Sequence, residues 1–372
     1  MRQRYETLNV IELDSERLLS NLELFHRYTG DKIIPVLKSN AYGHGIKQVA
    51  KILDGSNHEI VAVDSYYEAN EILKNTRSLK ILVLGLVPPN NLRLLNTKRI
   101  SYVAQTIEDI QAFARLRRHI QIHLELNTGM NRLGILPSEV DDYLAELKKH
   151  KNLELEGIMT HLADADSKKT SFTNYQVNLF DSSVKHILES GFHPRYIHIA
   201  QTAGSLKIKS RYSNAVRVGI GTYGINPLDK KDPVWSKLAD LQPVLELKST
   251  IVKVIDLDKG DKVSYSLTFA AKKKMRIGIL PLGYYEALPR VLSNSAHLTT
   301  LSGDKLPVVG RICMNHTMID LTDTNLSTGD QVIVISKNPS APNSVEGIRK
   351  NHQVFPYELL CKLSSITRRQ IV

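Results

Sequence analysis

The chain has 372 residues, 42% of them hydrophobic, and a formal net charge of +11. That length implies two or three domains, or one barrel with an appended domain, and the apolar content is ample for a packed core rather than a disordered chain. The longest apolar stretch, 81–87, is too short to span a bilayer, residues 1–6 show no apolar leader segment, and the two cysteines, Cys313 and Cys361, exclude a disulfide scaffold and fit a reducing cytoplasm. The basic clusters at 115–118, 148–151, 272–276 and 368–369 are scattered and accompanied by no nucleic-acid motif. Solvated faces with a mild attraction for anionic metabolites are therefore expected, with neither a nucleic acid nor a membrane as partner.

In chain order, 7–12 reads as a strand that pairs outside the first domain. Ser15 then precedes an amphipathic run with Leu18, Leu22 and Phe25 on one face, closed by Gly30. Eight β-branched apolar runs follow, at 32–37, 60–64, 80–84, 100–104, 120–126, 155–160, 196–200 and 215–218, most of them separated by helical segments. Thr106 with Asp109, and Ser138 with Asp141, look like helix starts. Eight strands alternating with helices predict a parallel (β/α)8 barrel, with a doubly wound open sheet as the competing architecture. Three prolines between 227 and 243 read as a linker. Beyond it, short runs at 244–255, 262–267, 275–280, 297–301, 306–314, 318–321 and 331–335, parted by Gly-Asp turns, predict a mostly β C-terminal domain. The expected division is 1–240 and 241–372, with residues 1–12 free to pair with the second domain.

Chemistry in such a barrel gathers at the C-terminal ends of the strands. Lys38 follows the first run, where a turn built on Asn40, Gly43 and Gly45 holds an amine that can lose its proton and form an imine with an aldehyde. Arg132 follows the fifth run, His161 ends the sixth, Thr202 follows the seventh, and Arg217 ends the eighth just before Gly219 and Ile220. Small residues and glycines after the last two strands let backbone N–H groups approach a phosphate. Taken singly, each residue also reads as a core histidine, a surface ion-pair partner, a buried paired arginine or an ordinary turn; their shared position at strand ends joins them.

The segment from Val36 to Gly45 closely resembles the cofactor-lysine motif of the alanine racemases, V-K-A-N-A-Y-G-H-G. Further stretches similar to that family come in order: 128–134 with Arg132, 160–163 with His161, 216–220 with Arg217, Val263-Ser264-Tyr265, 278–284 ending in Tyr284, Leu288-Pro289-Arg290, 310–314 ending in Met314, and Pro356-Tyr357-Glu358. The resemblance implies a pyridoxal 5'-phosphate (PLP) enzyme that interconverts L- and D-alanine, supplying D-alanine for peptidoglycan, as a homodimer whose active sites are shared between subunits. It implies Lys38 as PLP carrier and base on one face of the substrate, and Tyr265 of the partner subunit as base on the other. A free phenol ionises near ~10, so neighbours, His161 and Arg290, would have to favour the phenolate. The phosphate falls to Tyr42, Thr202, Gly219, Ile220 and Tyr357, the ring to Leu84 and Arg217, and the substrate carboxylate to Arg132 and Met314. Tyr265, Tyr284, Tyr357 and Met314 would narrow the pocket around a small side chain. A racemase for another small amino acid such as serine, and a PLP-binding protein with weak or no activity, are the alternatives.

The chain also departs from the family pattern. A lysine, often carbamylated, usually lies seven residues before the arginine, and here that position is Glu125. The resemblance therefore implies a permanent carboxylate in place of the carbamate; its side chain is shorter than a carbamylated lysine, so a water or a shifted Arg132 is expected to fill the gap. Asn127 stands for Asp, Gln201-Thr202 for Asn-Ser, Ser266 for Gly, and Asn315 for the Asp at the substrate entrance, near where Arg290 and Arg311 are expected.

Overall fold

A computed structural model describes residues 6–372; residues 1–5, part of the stretch read above for a leader, lie outside it. The contacts divide the chain into two compact units. One takes Leu19–Ala41 and Val49–Leu241, and the other takes the residues through Leu18, Tyr42–Gln48 and Gln242–Val372.

The first unit is the expected barrel. After β1 (Asn9–Leu13), its strands are β2 (Lys32–Pro35), β3 (Ile60–Val63), β4 (Lys80–Val83), β5 (Ile100–Ala104), β6 (Ile120–Glu125), β7 (Leu153–Met159), β8 (Tyr196–Gln201) and β9 (Ala215–Val218). They form an eight-stranded sheet in the order β2-β9-β8-β7-β6-β5-β4-β3. The ladders between its neighbouring strands are parallel. A parallel bridge from Val36 to Ala62, with Leu37 N–H donating to the Ala62 carbonyl at 2.7 Å, closes the sheet on itself. β3, β5 and β9 are buried at every position, as strands covered on both faces must be. Ser15–Thr29 is the predicted helix, with Leu18, Leu22 and Phe25 fully buried and Gly30 at φ 71° beyond it. Thr106 and Asp109 form the predicted capping box. Ser138 does not cap: it lies in a 3-10 turn (Pro137–Glu139), and Glu139 reaches back to the Leu136 N–H at 2.7 Å. The proline-rich stretch is packed rather than free, with Leu228 buried and Asp232 in a 2.5 Å ion pair with Lys207.

The second unit holds β10 (Leu245–Thr250), β11 (Lys253–Leu257), β12 (Lys262–Val263), β13 (Phe269–Ala270), β14 (Met275–Leu280), β15 (His297–Thr299), β16 (Lys305–Pro307), β17 (Thr317–Asp320), β18 (Gln331–Ile335) and β19 (Arg368–Ile371). Its six-stranded sheet runs β16-β15-β18-β10-β1-β19, so the N-terminal strand lies between β10 and β19, and β11-β14-β17 form a smaller sheet. Several expectations fail here: the run at 244–255 splits into β10 and β11, and the run at 262–267 is strand only over Lys262–Val263 before a 3-10 turn (Tyr265–Leu267). The run at 306–314 is strand only over Lys305–Pro307, because Val308, Val309 and Ile312 are buried by a turn-rich loop. The helices Val345–His352 and Pro356–Cys361 were not anticipated. Among the described residues no helix is long and apolar enough to cross a membrane.

Candidate active site

Parallel strands deliver their C-terminal ends to one mouth. Lys38 follows β2, Leu84 follows β4, Glu125 ends β6, Arg132 lies in the loop beyond it, His161 follows β7, Thr202 follows β8, and Arg217, Gly219 and Ile220 close β9. The residues after Lys38 adopt a conformation that the sequence did not announce. Ser39, Asn40, Ala41 and Tyr42 all have φ between 50° and 56°, a left-handed turn closed by Ala41 N–H donating to the Leu37 carbonyl at 2.8 Å. Glu68 holds it: one carboxylate oxygen accepts the Ser39 N–H at 2.6 Å and the Asn40 N–H at 3.4 Å, while the other accepts from Asp64 and Ser65. Gly43 follows at φ 79°, where a Cβ would lie 1.8 Å from the Leu360 carbonyl oxygen, so no other residue fits.

The charges around the barrel mouth are mostly positive. Burial, then the charges of Arg217, Arg132 and Lys38, push His161 down to about 3, so the ring is neutral. Arg217 is buried, and burial brings its guanidinium to about 10 against the pull of Glu125, leaving it charged at neutral pH. Its NH1 donates to His198 Nδ1 at 2.7 Å and to the His198 carbonyl at 2.8 Å; NH2 donates to the carbonyls of Thr160 at 2.6 Å and Ile199 at 3.2 Å, with His161 Nδ1 at 3.4 Å. Its Nε–H has no protein acceptor among the described residues. Thr202 is buried, and its hydroxyl oxygen accepts the N–H groups of Gly219 at 3.1 Å and Gly221 at 3.3 Å. Its own proton is left without an acceptor among the described residues. Such a mouth, with cations, an undirected hydroxyl proton and glycine backbone, suits an anionic ligand.

Glu125 is buried but does not pair with Arg132, which is exposed. Its carboxylate instead accepts from Gln105 Nε2 at 3.2 Å, and Gln105 accepts the Gly134 N–H at 2.9 Å, so the bond braces the loop that carries Arg132. Gln105, Glu68 and Gln176, whose amide donates to Thr128 and the His161 carbonyl, escaped sequence reading. Only the Ser65-to-Glu68 spacing gave a signal, as a capping box.

In the second unit, Tyr42 and Tyr357 lie with ring centroids 6.1 Å apart. Burial, then Tyr357 and Cys361, push the Tyr42 phenol up, so it is a neutral donor. Tyr265 is 67% exposed, between Ser264 and Ser266, both at positive φ. The loops that carry Tyr284, Met314 and Asn315 zip together: Tyr284 N–H donates to Cys313 O, Tyr285 N–H to Met314 O, and Asn315 Nδ2 to Glu286 Oε1 at 2.9 Å. Arg290 is exposed, Arg311 is half-buried, and the Arg311 carbonyl accepts from Ser264 Oγ at 2.6 Å.

Comparison with known proteins decides the family. The profile of the alanine racemase N-terminal domain matches residues 13–227, and that of the C-terminal domain matches 244–371. The chain belongs to the alanine racemase family. An alanine racemase from Methanococcus maripaludis is 33% identical over 362 residues, covering 95% of this chain and 96% of the relative. The alanine racemase of Clostridium difficile 630 superposes with a TM-score of 0.89 at 28% identity, covering 99% and 97% of the two chains. The Bacillus anthracis alanine racemase with bound L-Ala-P superposes at 0.87 and 27% identity, covering 99% and 96%. Alanine racemases are PLP-dependent isomerases.

Proposed function

We propose that this chain interconverts L- and D-alanine with PLP as its cofactor. The observation that carries the reading is Lys38, half-buried after β2 in a mouth made positive by Arg132 and Arg217, on a chain that matches both alanine racemase domains.

The residues present fit PLP. An aldehyde needs an amine, which Lys38 provides. A phosphate needs donors: the Thr202 hydroxyl and the Ile220 N–H are available, whereas the Gly219 N–H is already engaged with Thr202 and orients it. Tyr42 and Tyr357 are proposed as phenol donors to the same phosphate. The pyridine nitrogen needs a partner, and Arg217 has an Nε–H to offer. When bound through Lys38, PLP supplies the electron sink that makes an amino acid's α-proton acidic.

Lys38, freed when the substrate's amino group takes its place on the aldehyde, would move the α-proton on one face of the substrate, and the partner subunit's Tyr265 would move it on the other. Arg217, charged and clamped on the carbonyls of Thr160, His198 and Ile199, would offer the ring nitrogen a hydrogen bond and keep its own proton. That limits the electron sink and so the side reactions. Neutral His161, 3.4 Å from Arg217, faces the same mouth and takes no proton from it near pH 7. Arg132 and the Met314 N–H take the substrate carboxylate, while Leu84 packs the ring. Tyr284, Arg290, Arg311 and Asn315 belong to the entrance. The barrel unit, Leu19–Ala41 and Val49–Leu241, is proposed as the PLP-binding domain and Gln242–Val372 as the domain lent to a partner's site in a cytoplasmic homodimer.

The test is incubation of the purified protein with L-alanine and PLP in deuterium oxide. α-Deuterium incorporation with loss of optical purity is expected, abolished in Lys38→Ala. A wild-type protein that exchanges no α-proton of alanine or serine overturns the reading.

A further inference from the structure

Beneath the mouth, one side chain from each of five adjacent strands joins a buried chain of hydrogen bonds: Ser101 on β5, His123 on β6, Glu156 on β7, His198 on β8 and Arg217 on β9. All five are buried. Arg217 NH1 lies 2.7 Å from His198 Nδ1, His198 Nε2 lies 3.0 Å from His123 Nδ1, and His123 Nε2 lies 3.3 Å from Glu156 Oε2. The Ser101 hydroxyl donates to the same carboxylate oxygen. Contacts that skip a strand, from β6 to β8, run through the space that Gly157 on β7 leaves open. A Cβ there would lie 2.3 Å from His123 Nδ1. The ladders are irregular where the histidines leave them, between Ile122 and His123 in β6 and between His198 and Gln201 in β8. Such irregularities re-aim side chains.

The chain has only one consistent polarity. A guanidinium donates and never accepts, so His198 Nδ1 is a bare lone pair. A neutral His198 then carries its proton on Nε2 and donates it to His123 Nδ1. That nitrogen is in turn bare, so His123 carries its proton on Nε2 and donates it to Glu156. Every link runs from the cation to the carboxylate. Burial and the neighbouring Arg217 hold His198 far below its usual range, in keeping with a neutral ring. For Glu156, burial pushes the carboxyl up, but hydrogen bonds from His123 and Ser101 outweigh it and the net shift is down. The other carboxylate oxygen, Oε1, has no hydrogen-bond partner among the described residues, so the anion's hydrogen bonds come from this chain, with the charge of Lys80 favouring it as well.

We propose that Glu156 is a positioning residue: acting through His123 and His198, its buried carboxylate fixes the Arg217 guanidinium in place. Its relevance to catalysis rests on the racemase reading, in which Arg217 faces the ring nitrogen. None of Glu156, His123 or His198 touches substrate in that reading. Their work is to keep the cation fully charged and immobile, so that no water can take its place and protonate the ring.

Two measurements test this. Long-range proton–nitrogen spectra of the ¹⁵N-histidine-labelled holoenzyme at pH 7, assigned with His123→Gln and His198→Gln, are expected to show both rings protonated on Nε2 alone. A proton on Nδ1 of either ring overturns the polarity and the proposal with it. Glu156→Gln keeps an oxygen for His123 and removes the charge. It should lower kcat about tenfold with KM for alanine within about twofold, and raise pyruvate formed per racemisation about tenfold. Glu156→Asp, which restores the charge, should recover part of both. Wild-type kcat and pyruvate yield in Glu156→Gln, or equal losses in Gln and Asp, overturn the positioning role. The spectra decide the matter if the variant does not fold. Failure of the racemase reading is distinct, because it appears as absent α-proton exchange in the unmodified protein.

Discussion

His161 at the cationic mouth and His198 buried beneath it are two imidazoles kept neutral, and this has a consequence for stability. Burial is the first cause in both, and Arg217 the next. In the unfolded chain each takes up a proton below about 6.5. In the fold His161 does so only near about 3, and His198 is also held well below its usual range. The unfolded state therefore binds more protons as pH falls below 6.5, and stability is fully present above that value and drains away beneath it. The slope is about 1.4 kcal/mol per pH unit for each histidine. Urea midpoints compared at pH 7 and 5.5 should fall accordingly, and His161→Gln should flatten the dependence; an unchanged slope in that variant counts against the assignment. Glu125 poses a different question. It pulls the Arg217 guanidinium up through its charge and braces the Arg132 loop through Gln105, so it acts on two cations without pairing with Arg132. Glu125→Gln should reduce kcat/KM for alanine about tenfold, and bicarbonate should change neither protein's rate. Rescue by bicarbonate, or wild-type kinetics in the variant, removes the case for a built-in carbamate substitute.

The turn after Lys38 shows how an element can be legible in position and illegible in form. The sequence places a turn there, built on Asn40, Gly43 and Gly45, but the backbone from Ser39 to Tyr42 is left-handed at every residue. Left-handed conformation costs roughly 1–2 kcal/mol for each residue with a Cβ, and such a run persists only when its surroundings over-determine it. Glu68 does this from 29 residues away, a pairing no local pattern reveals. The barrel strands are legible for the converse reason. They are β-branched and buried on both faces, so composition alone marks them, and the observed spans lie within about two residues of the expected ones. The second unit is harder, because short strands such as Lys305–Pro307 merge in sequence with buried loops of the same apolar character. The buried histidine chain is not legible in the sequence either, since its links join residues 33 and 75 positions apart. Glu68→Gln tests the turn. An amide cannot accept on both sides, so either Ser39 and Asn40 or Asp64 and Ser65 lose their acceptor. The expected outcome is a loss of about 1–3 kcal/mol in unfolding free energy and a drop of about tenfold or more in kcat as Lys38 loses its fixed exit from β2. Unchanged kcat in a destabilised variant would leave Glu68 a purely structural cap.

At the scale of the whole molecule, the two bases assigned to the reaction belong to different compact units, Lys38 to the barrel and Tyr265 to the C-terminal unit. Tyr265, Leu267 and Met314 are exposed there at 67%, 62% and 55%, beside a groove lined by Ile255, Ile277, Ile279 and Met318. A phenol standing mostly in water among apolar neighbours suits a surface that a partner covers, as the proposed role of Tyr265 requires. In a two-fold dimer each site would then take Lys38 from one protomer and Tyr265 from the other, which makes the arrangement countable. Lys38→Ala and Tyr265→Phe homodimers should each be nearly inactive. A heterodimer of the two variants would place both substitutions in one site and leave the other intact. Co-expression with different tags and purification of the mixed species should give about half the wild-type activity per dimer, and random assortment of equal amounts about a quarter. If each protomer instead completed its own site, every site in the mixture would carry one lesion and no activity would return, whatever the ratio.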